Sequence, residues 1–195
     1  MKPRLRLANT RTTIFLPNGE SATLRQAQTE DAAAILALKQ SILRPGIYDA
    51  LLPEEYSFDV EQEGHWIEHC LRSDSNFMVV AEVSGVIVGM LFFQTSNELR
   101  CNHWGEFGMG ITESYRGKGI GTELLKALFE WAEAHPRVEK ICLKVFDANP
   151  KAVKLYQNLG FIEEGRLKKC LRLGNGLYSD AILMAKFVKS SKENL

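Results

Sequence analysis

The chain has 195 residues, enough for one domain with a full hydrophobic core and too few for two ordinary ones. Lys plus Arg and Asp plus Glu are both 24, so the formal charge is zero and no net field points to a nucleic acid or a membrane surface. Four scattered cysteines, Cys70, Cys101, Cys142 and Cys170, form no CxxC pair and read as reduced residues rather than a disulfide frame or a zinc site.

Residues 1–10 are charged and lack the apolar stretch of a signal peptide. The most hydrophobic run, 86–93, is too short to cross a bilayer, so a cytoplasmic protein is expected. Residues 1–20 read as an arm and the first strand of a hairpin, 21–188 as the domain, and 189–195 as a tail. Segments 13–16 and 21–26 flank Pro17-Asn18-Gly19-Glu20, a hairpin signal. Thr29-Glu30-Asp31 starts a helix whose stripe is Ile35, Leu38 and Ile42, stopped at Pro45-Gly46. A second helix is expected over 59–71, after a loop with Tyr48, Pro53 and Tyr56. Strands follow over 77–83 and 86–95, joined at Ser84-Gly85, and a third begins at Trp104.

Residues 105–135 organise the rest. Three glycines, Gly105, Gly108 and Gly110, interrupt the strand from Trp104 to Ile111, which predicts a bulge or another chain passing close to the backbone. The turn Arg116-Gly117-Lys118-Gly119-Ile120-Gly121-Thr122 then opens a long helix with Ile120, Leu124, Leu128 and Trp131 on its core face. Glycines let a ligand approach the backbone, and unpaired N–H groups at a helix start attract an anion. Arg116 and Lys118 add positive charge at the rim. The alternative is a glycine-rich turn without a ligand. A P-loop is excluded, because the position five before Gly117 is Thr112 and Lys118 is followed by Gly119. The dinucleotide fingerprint fails at Thr122, where its third glycine belongs. An anion site beside an irregular strand suits a ligand with a pyrophosphate and an amide-bearing arm, the shape of coenzyme A.

Downstream, 141–146 alternates as a buried strand. Asn149 caps the next helix with Pro150 in its first turn. Segments 163–172 and 178–187 read as a closing antiparallel pair around Gly174-Asn175-Gly176.

The run from Arg116 to Gly121 resembles the Arg/Gln-x-x-Gly-x-Gly/Ala acetyl-CoA signature of the GNAT superfamily of N-acetyltransferases. A second matching segment, 141–161, carries Asn149, Ala152, Tyr156 and the closing Leu159-Gly160-Phe161. The resemblance extends from about Ala22 to Phe187. It implies an α/β fold: a mixed, mostly antiparallel twisted sheet of about seven strands flanked by helices, with a bulged central strand at the acetyl-CoA cleft. It implies acetyl-CoA binding by Met109, Gly110, Ile111, Arg116, Gly117, Lys118, Gly119, Ile120, Gly121, Thr122 and Asn149, with no metal. It implies an acetyl-CoA-dependent N-acetyltransferase acting on a primary amine of a small molecule or peptide. The stretch 164–186 looks like that of bacterial members that acetylate free amino acids or protein N-terminal residues. A homodimer stays open, as does a non-catalytic acyl-CoA-binding module.

Acetyl transfer needs a neutral amine, a donor for the oxyanion and a proton for the departing thiolate. By resemblance Tyr156 is the general acid, although Ala152, Val153 and Leu159 around it also fit a plain core position. Glu106, near the start of the interrupted strand, is the candidate base, and a solvent-facing carboxylate is the alternative. Where N-terminal acetyltransferases place a glutamate on the next strand, this chain has Lys144. His65 and His69 stand at i and i+4 without a third ligand, so a solvated helix face is favoured over a metal. Trp66 and Tyr48 are candidates for the acceptor pocket. A Cys142 nucleophile has no histidine at an informative distance.

Overall fold

Turn chemistry and alternation build the first half of the sheet. The structure is a computed structural model, and it describes residues 11–43, 51–96, 98–173 and 176–189. Strands β1 (Thr12–Phe15) and β2 (Ser21–Gln26) pair antiparallel around the expected turn, with Gly19 at a φ of 85°. Strands β3 (Asn76–Val83) and β4 (Val86–Thr95) meet at Ser84 and Gly85, both at positive φ, the geometry that matches strand twist in a two-residue hairpin loop. Strand β5 is Trp104–Ile111, β6 Lys140–Phe146, β7 Ile162–Arg172 and β8 Tyr178–Phe187. They form one sheet in the order β1-β2-β3-β4-β5-β6-β8-β7, antiparallel except for the β5–β6 pair. Eight strands are present where about seven are expected, because the β1 hairpin strand joins the sheet.

Helices cover both faces. Helix α1 (Ala32–Leu43) and α2 (Val60–Arg72) lie on one side, with Ile35, Leu38, Ile67 and Cys70 buried against Met78, Val80 and Met90. Asp59 caps α2 by accepting from Gln62 N–H at 2.8 Å. Arg25 clamps the approach to α1, donating to both oxygens of Asp31 at 2.7 and 2.8 Å and to Glu82 at 2.8 Å. On the other face lie α3 (Ile120–Ala134) and α4 (Pro150–Asn158). Ile120, Leu124, Leu128 and Trp131 are buried as the helical period predicts. Each such side chain contributes roughly 1.5–3 kcal/mol. The Pro45-Gly46 stop, Tyr48, the Gly174-Asn175 part of the last turn, the arm over 1–10 and most of the tail lie outside the described residues.

The bulge expected in β5 is not found against β4. From Gly105↔Thr95 to Ile111↔Gly89 the register runs without a shift. The glycines answer to close approach instead. A Cβ on Gly105 would meet the Gln94 carbonyl, one on Gly108 the Phe92 ring, and one on Gly110 the Ile42 side chain. The irregularity lies on the opposite edge of β5. Its parallel pairing with β6 is confined to Trp104↔Lys140, Gly105↔Ile141 and Glu106↔Cys142, after which the strands part.

At the end of α3, buried His135 stacks on Trp131 with ring centroids 4.9 Å apart. Its Nδ1 accepts from the N–H groups of Val138 at 3.2 Å and Arg137 at 3.3 Å, a role only the neutral ring can fill. Burial, and then the Arg137 charge, hold its pKa below the ordinary 6.5. A depressed folded-state pKa gives stability that is fully present above about pH 6.5 and is lost as pH falls through the folded value. Thermal melts should therefore drop between pH 7 and 5 in the wild type, with a flatter profile in His135→Asn. Parallel profiles would show that His135 does not contribute.

Candidate active site

The turn between β5 and α3 is rich in unused donors. Gly117 and Gly119 sit at φ 75° and 90°, and no heavy atom lies within 4 Å of where their Cβ atoms would be. An L-residue would be strained at either position. Glu123 N–H donates to Gly119 O at 3.2 Å, the first bond of the helix. Among the described residues, the N–H groups from Gly117 to Thr122 find no acceptor. They lie at the start of α3, where the helix dipole is positive, an arrangement that can cradle an anion. Gly121 differs from its two neighbours. A Cβ there would lie 3.3–3.4 Å from Ile111, Leu155 and Met109, so its missing side chain serves packing between α3 and β5.

The cations are more constrained than the sequence suggests. Arg116 Nε donates to the Ile111 carbonyl at 3.0 Å. Lys118 lies over the Tyr115 ring, 4.4 Å from its centroid, with Glu20 at 4.0 Å.

Beside the cradle runs the free edge of β5. Thr112 N–H donates across to Val88 O on β4 at 2.9 Å, so the main-chain groups of Ile111 and, two residues back, Met109 point the other way. From Phe107 to Ile111 no strand pairs with that edge. The gap between β5 and β6 can therefore take an extended, amide-bearing chain.

The two titratable candidates lie on opposite faces of the sheet. Phe107, Met109 and Ile111 point into the α3–α4 core, and there the Tyr156 ring meets Phe107 at 5.7 Å and Phe161 at 5.8 Å. Tyr156 is 8% exposed, and burial pushes its phenol up to about 12. Its hydroxyl has no hydrogen-bond partner among the described residues, while every fully buried side-chain oxygen or nitrogen there has one, so the phenol tip reaches solvent. Glu106 is exposed on the α1–α2 face, at the last paired position before β5 and β6 part. It lines an open cavity of about 330 Å³ with Phe92, Gln94, Thr95, Ser96, Trp104 and Gly105. Asn149 caps α4, its side-chain oxygen accepting from Ala152 N–H at 3.2 Å.

The model of the acetyltransferase (GNAT) family matches residues 44–161. The chain belongs to that family.

Relatives in the GNAT family agree in extent. An L-amino acid N-acetyltransferase of Escherichia coli (strain K12), AaaT, is 31% identical over 163 residues, 84% of this chain and 96% of the relative. The spermidine N(1)-acetyltransferase of the same strain is 27% identical over 172 residues, 88% of this chain and 89% of the relative. Among solved structures, a GNAT acetyltransferase from Streptococcus pneumoniae superposes with a TM-score of 0.81 at 26% identity, covering 85% of this chain and 99% of that one. A Salmonella typhimurium protein solved with acetyl-CoA shares the fold at a TM-score of 0.76 and 19% identity, over 87% of this chain and 95% of that one. This GNAT chain is thus an N-acetyltransferase.

His65 and His69 are exposed, and no three potential ligands gather for a metal among the described residues. Burial pushes the Cys142 thiol up to about 11, which keeps it protonated and disfavours a thiolate nucleophile. All four cysteines are free, and no described helix is long and apolar enough to cross a membrane. Trp66 reaches the cavity indirectly, edge-on to Phe92 at 5.1 Å. Sequence reasoning missed a cluster of half-buried Lys39 and Tyr56 around the buried Glu63. A signal was present: Glu63 precedes Ile67 and Cys70 at helical spacing, a carboxylate on the apolar stripe of α2.

Proposed function

We propose that the protein moves an acetyl group from acetyl-CoA directly to the primary amine of a small molecule, a free amino acid or a similar amine. The observation that carries this reading is the array of unpartnered N–H groups from Gly117 to Thr122 beside the unpaired edge of β5. The cradle suits the pyrophosphate, and Met109 and Ile111 are turned to pair with an amide-bearing arm. Asn149, at the head of α4, borders the path toward Tyr156. The amine would arrive over the α1–α2 face, where Glu106 takes its proton directly or through water. The nitrogen attacks the thioester carbonyl, the tetrahedral centre collapses, and the sulfur leaves with the Tyr156 proton. The relatives named for amino-acid and spermidine acetylation support an amine acceptor. Lys144 in place of the strand glutamate disfavours protein N-termini.

A panel of L-amino acids, polyamines and short peptides, incubated with acetyl-CoA while free thiol is followed, tests the reading. Saturable, amine-dependent thiol release is expected. Acetyl-CoA binding without release to any amine would make the protein a non-catalytic acyl-CoA module.

Glu106→Gln should lower turnover about tenfold at neutral pH, below the usual general-base range because an exposed carboxylate shares the task with solvent. The deficit should shrink as pH rises and more of the amine arrives deprotonated. A pH–rate profile superimposing on that of the wild type would remove Glu106 and leave ordered water as the base.

A further inference from the structure

The cluster between α1 and α2 contains the only fully buried carboxylate among the described residues. Glu63 has no exposed surface, yet both its oxygens are engaged. Lys39 Nζ donates to Oε1 at 2.7 Å, and the Tyr56 hydroxyl donates to Oε2 at 2.6 Å. Lys39 also donates to the Tyr56 oxygen at 3.0 Å. Tyr56 belongs to the segment leading into α2, and its ring packs on Phe58 at 5.4 Å. The same ammonium lies over Trp66, 3.8 Å from the ring centroid, a close cation–π contact. Trp66 meets Phe92 edge-on, and Phe92 lines the cavity that holds Glu106. A continuous line of contacts thus joins the 51–58 segment to the wall of the cavity.

We propose that Lys39, Glu63 and Tyr56 are positioning residues that latch the 51–58 segment and Trp66 into a fixed wall on the acceptor side of the cleft. For the word acceptor this rests on the acetyl-transfer reading above. The chemistry suits a latch better than a stabilising core. A buried ion pair gains little over apolar residues of the same volume, whereas a short hydrogen bond to a desolvated carboxylate fixes direction and distance. The two charges are on α1 and α2, and the phenol is the one member contributed by the loop. The latch touches no residue of the Gly117–Thr122 turn, so it should act on one substrate and not on the other.

Two variants separate positioning from stability. Tyr56→Phe keeps the ring and the ion pair and releases only the loop. The double variant Lys39→Met with Glu63→Leu replaces the pair by apolar residues of similar volume, a change that folds well in other buried pairs. In each, amide exchange over 51–58 should speed up about tenfold or more, the worth of a hydrogen bond to a charged group. With L-alanine, L-phenylalanine or spermidine, whichever the wild type acetylates fastest, the KM for the amine should rise severalfold and that for acetyl-CoA should hold. Unchanged exchange, or an equal rise in both KM values, would assign the cluster to fold stability alone and overturn the proposal. Exchange is read without turnover. A wild type that acetylates none of the three amines counts against the acetyl-transfer reading, while exchange still decides the latch.

Discussion

Tyr156→Phe lowers kcat roughly 10²-fold and leaves coenzyme A affinity unchanged; that is the expected result at the candidate acid. The substitution removes one oxygen and keeps a ring already packed between Phe107 and Phe161. The size follows from two opposed effects. Burial pushes the phenol up to about 12, so it is fully protonated at neutral pH and always ready to donate. The same shift makes it a reluctant donor to a thiolate whose free pKa is ~8.5, a leaving group that departs partly unaided. The lower end of the general-acid range is therefore expected. Stopped-flow thiol release together with calorimetric titration of coenzyme A checks both halves. A folded variant with wild-type kcat would return Tyr156 to the core as an ordinary packing residue.

The second large effect lies in the turn. Gly119→Val should weaken coenzyme A binding by roughly 10²-fold, the loss of one or two charge-assisted hydrogen bonds. Gly119 is the better choice over Gly121, where a valine would press on Ile111, Leu155 and Met109 and confuse packing with binding. At Gly119 the added side chain enters open space, so the fold bears only the strain of an L-residue at φ 90°. Gly85→Val, at φ 81° in the β3–β4 turn and also in open space, imposes comparable strain away from the cradle. Calorimetry should find normal affinity in that control. Equal weakening in both variants, or none in either, would remove the anion-cradle assignment.

Much of this was legible in the chain because local chemistry dictated it. Asn18-Gly19 and Ser84-Gly85 specify hairpin turns, Asn149-Pro150 starts α4, and the stripe from Ile120 to Trp131 aims α3 at the sheet. Glycines were legible as a signal and ambiguous as to cause. Gly108 yields to the Phe92 ring and Gly110 to Ile42, contacts between residues far apart in sequence, which no local pattern reveals. The parting of β5 from β6 is equally non-local, since it depends on where 104–106 meet 140–142. The Glu63 cluster was hidden because its three members come from α1, α2 and the segment before α2, although a charge on an apolar helix face marked one member.

The short β5–β6 contact also divides the protein mechanically. Strands β1 to β5 form one leaf, and β6, β8 and β7 the other, joined along only a brief stretch of ladder. The α3 side binds both leaves, because one core there holds Val79, Leu91 and Phe93 together with Ile141, Leu143 and Ile182. The core under α1 and α2 draws on β3 and β4 and includes nothing from β6 or β8. The molecule is built like a book, with its spine along α3 and its fore-edge toward α1 and α2. From this layout, flexing of the leaves is expected to widen the Glu106 side of the slot more than the side that holds the glycine turn. The amine would then meet an adjustable aperture, and acetyl-CoA one braced by a shared core.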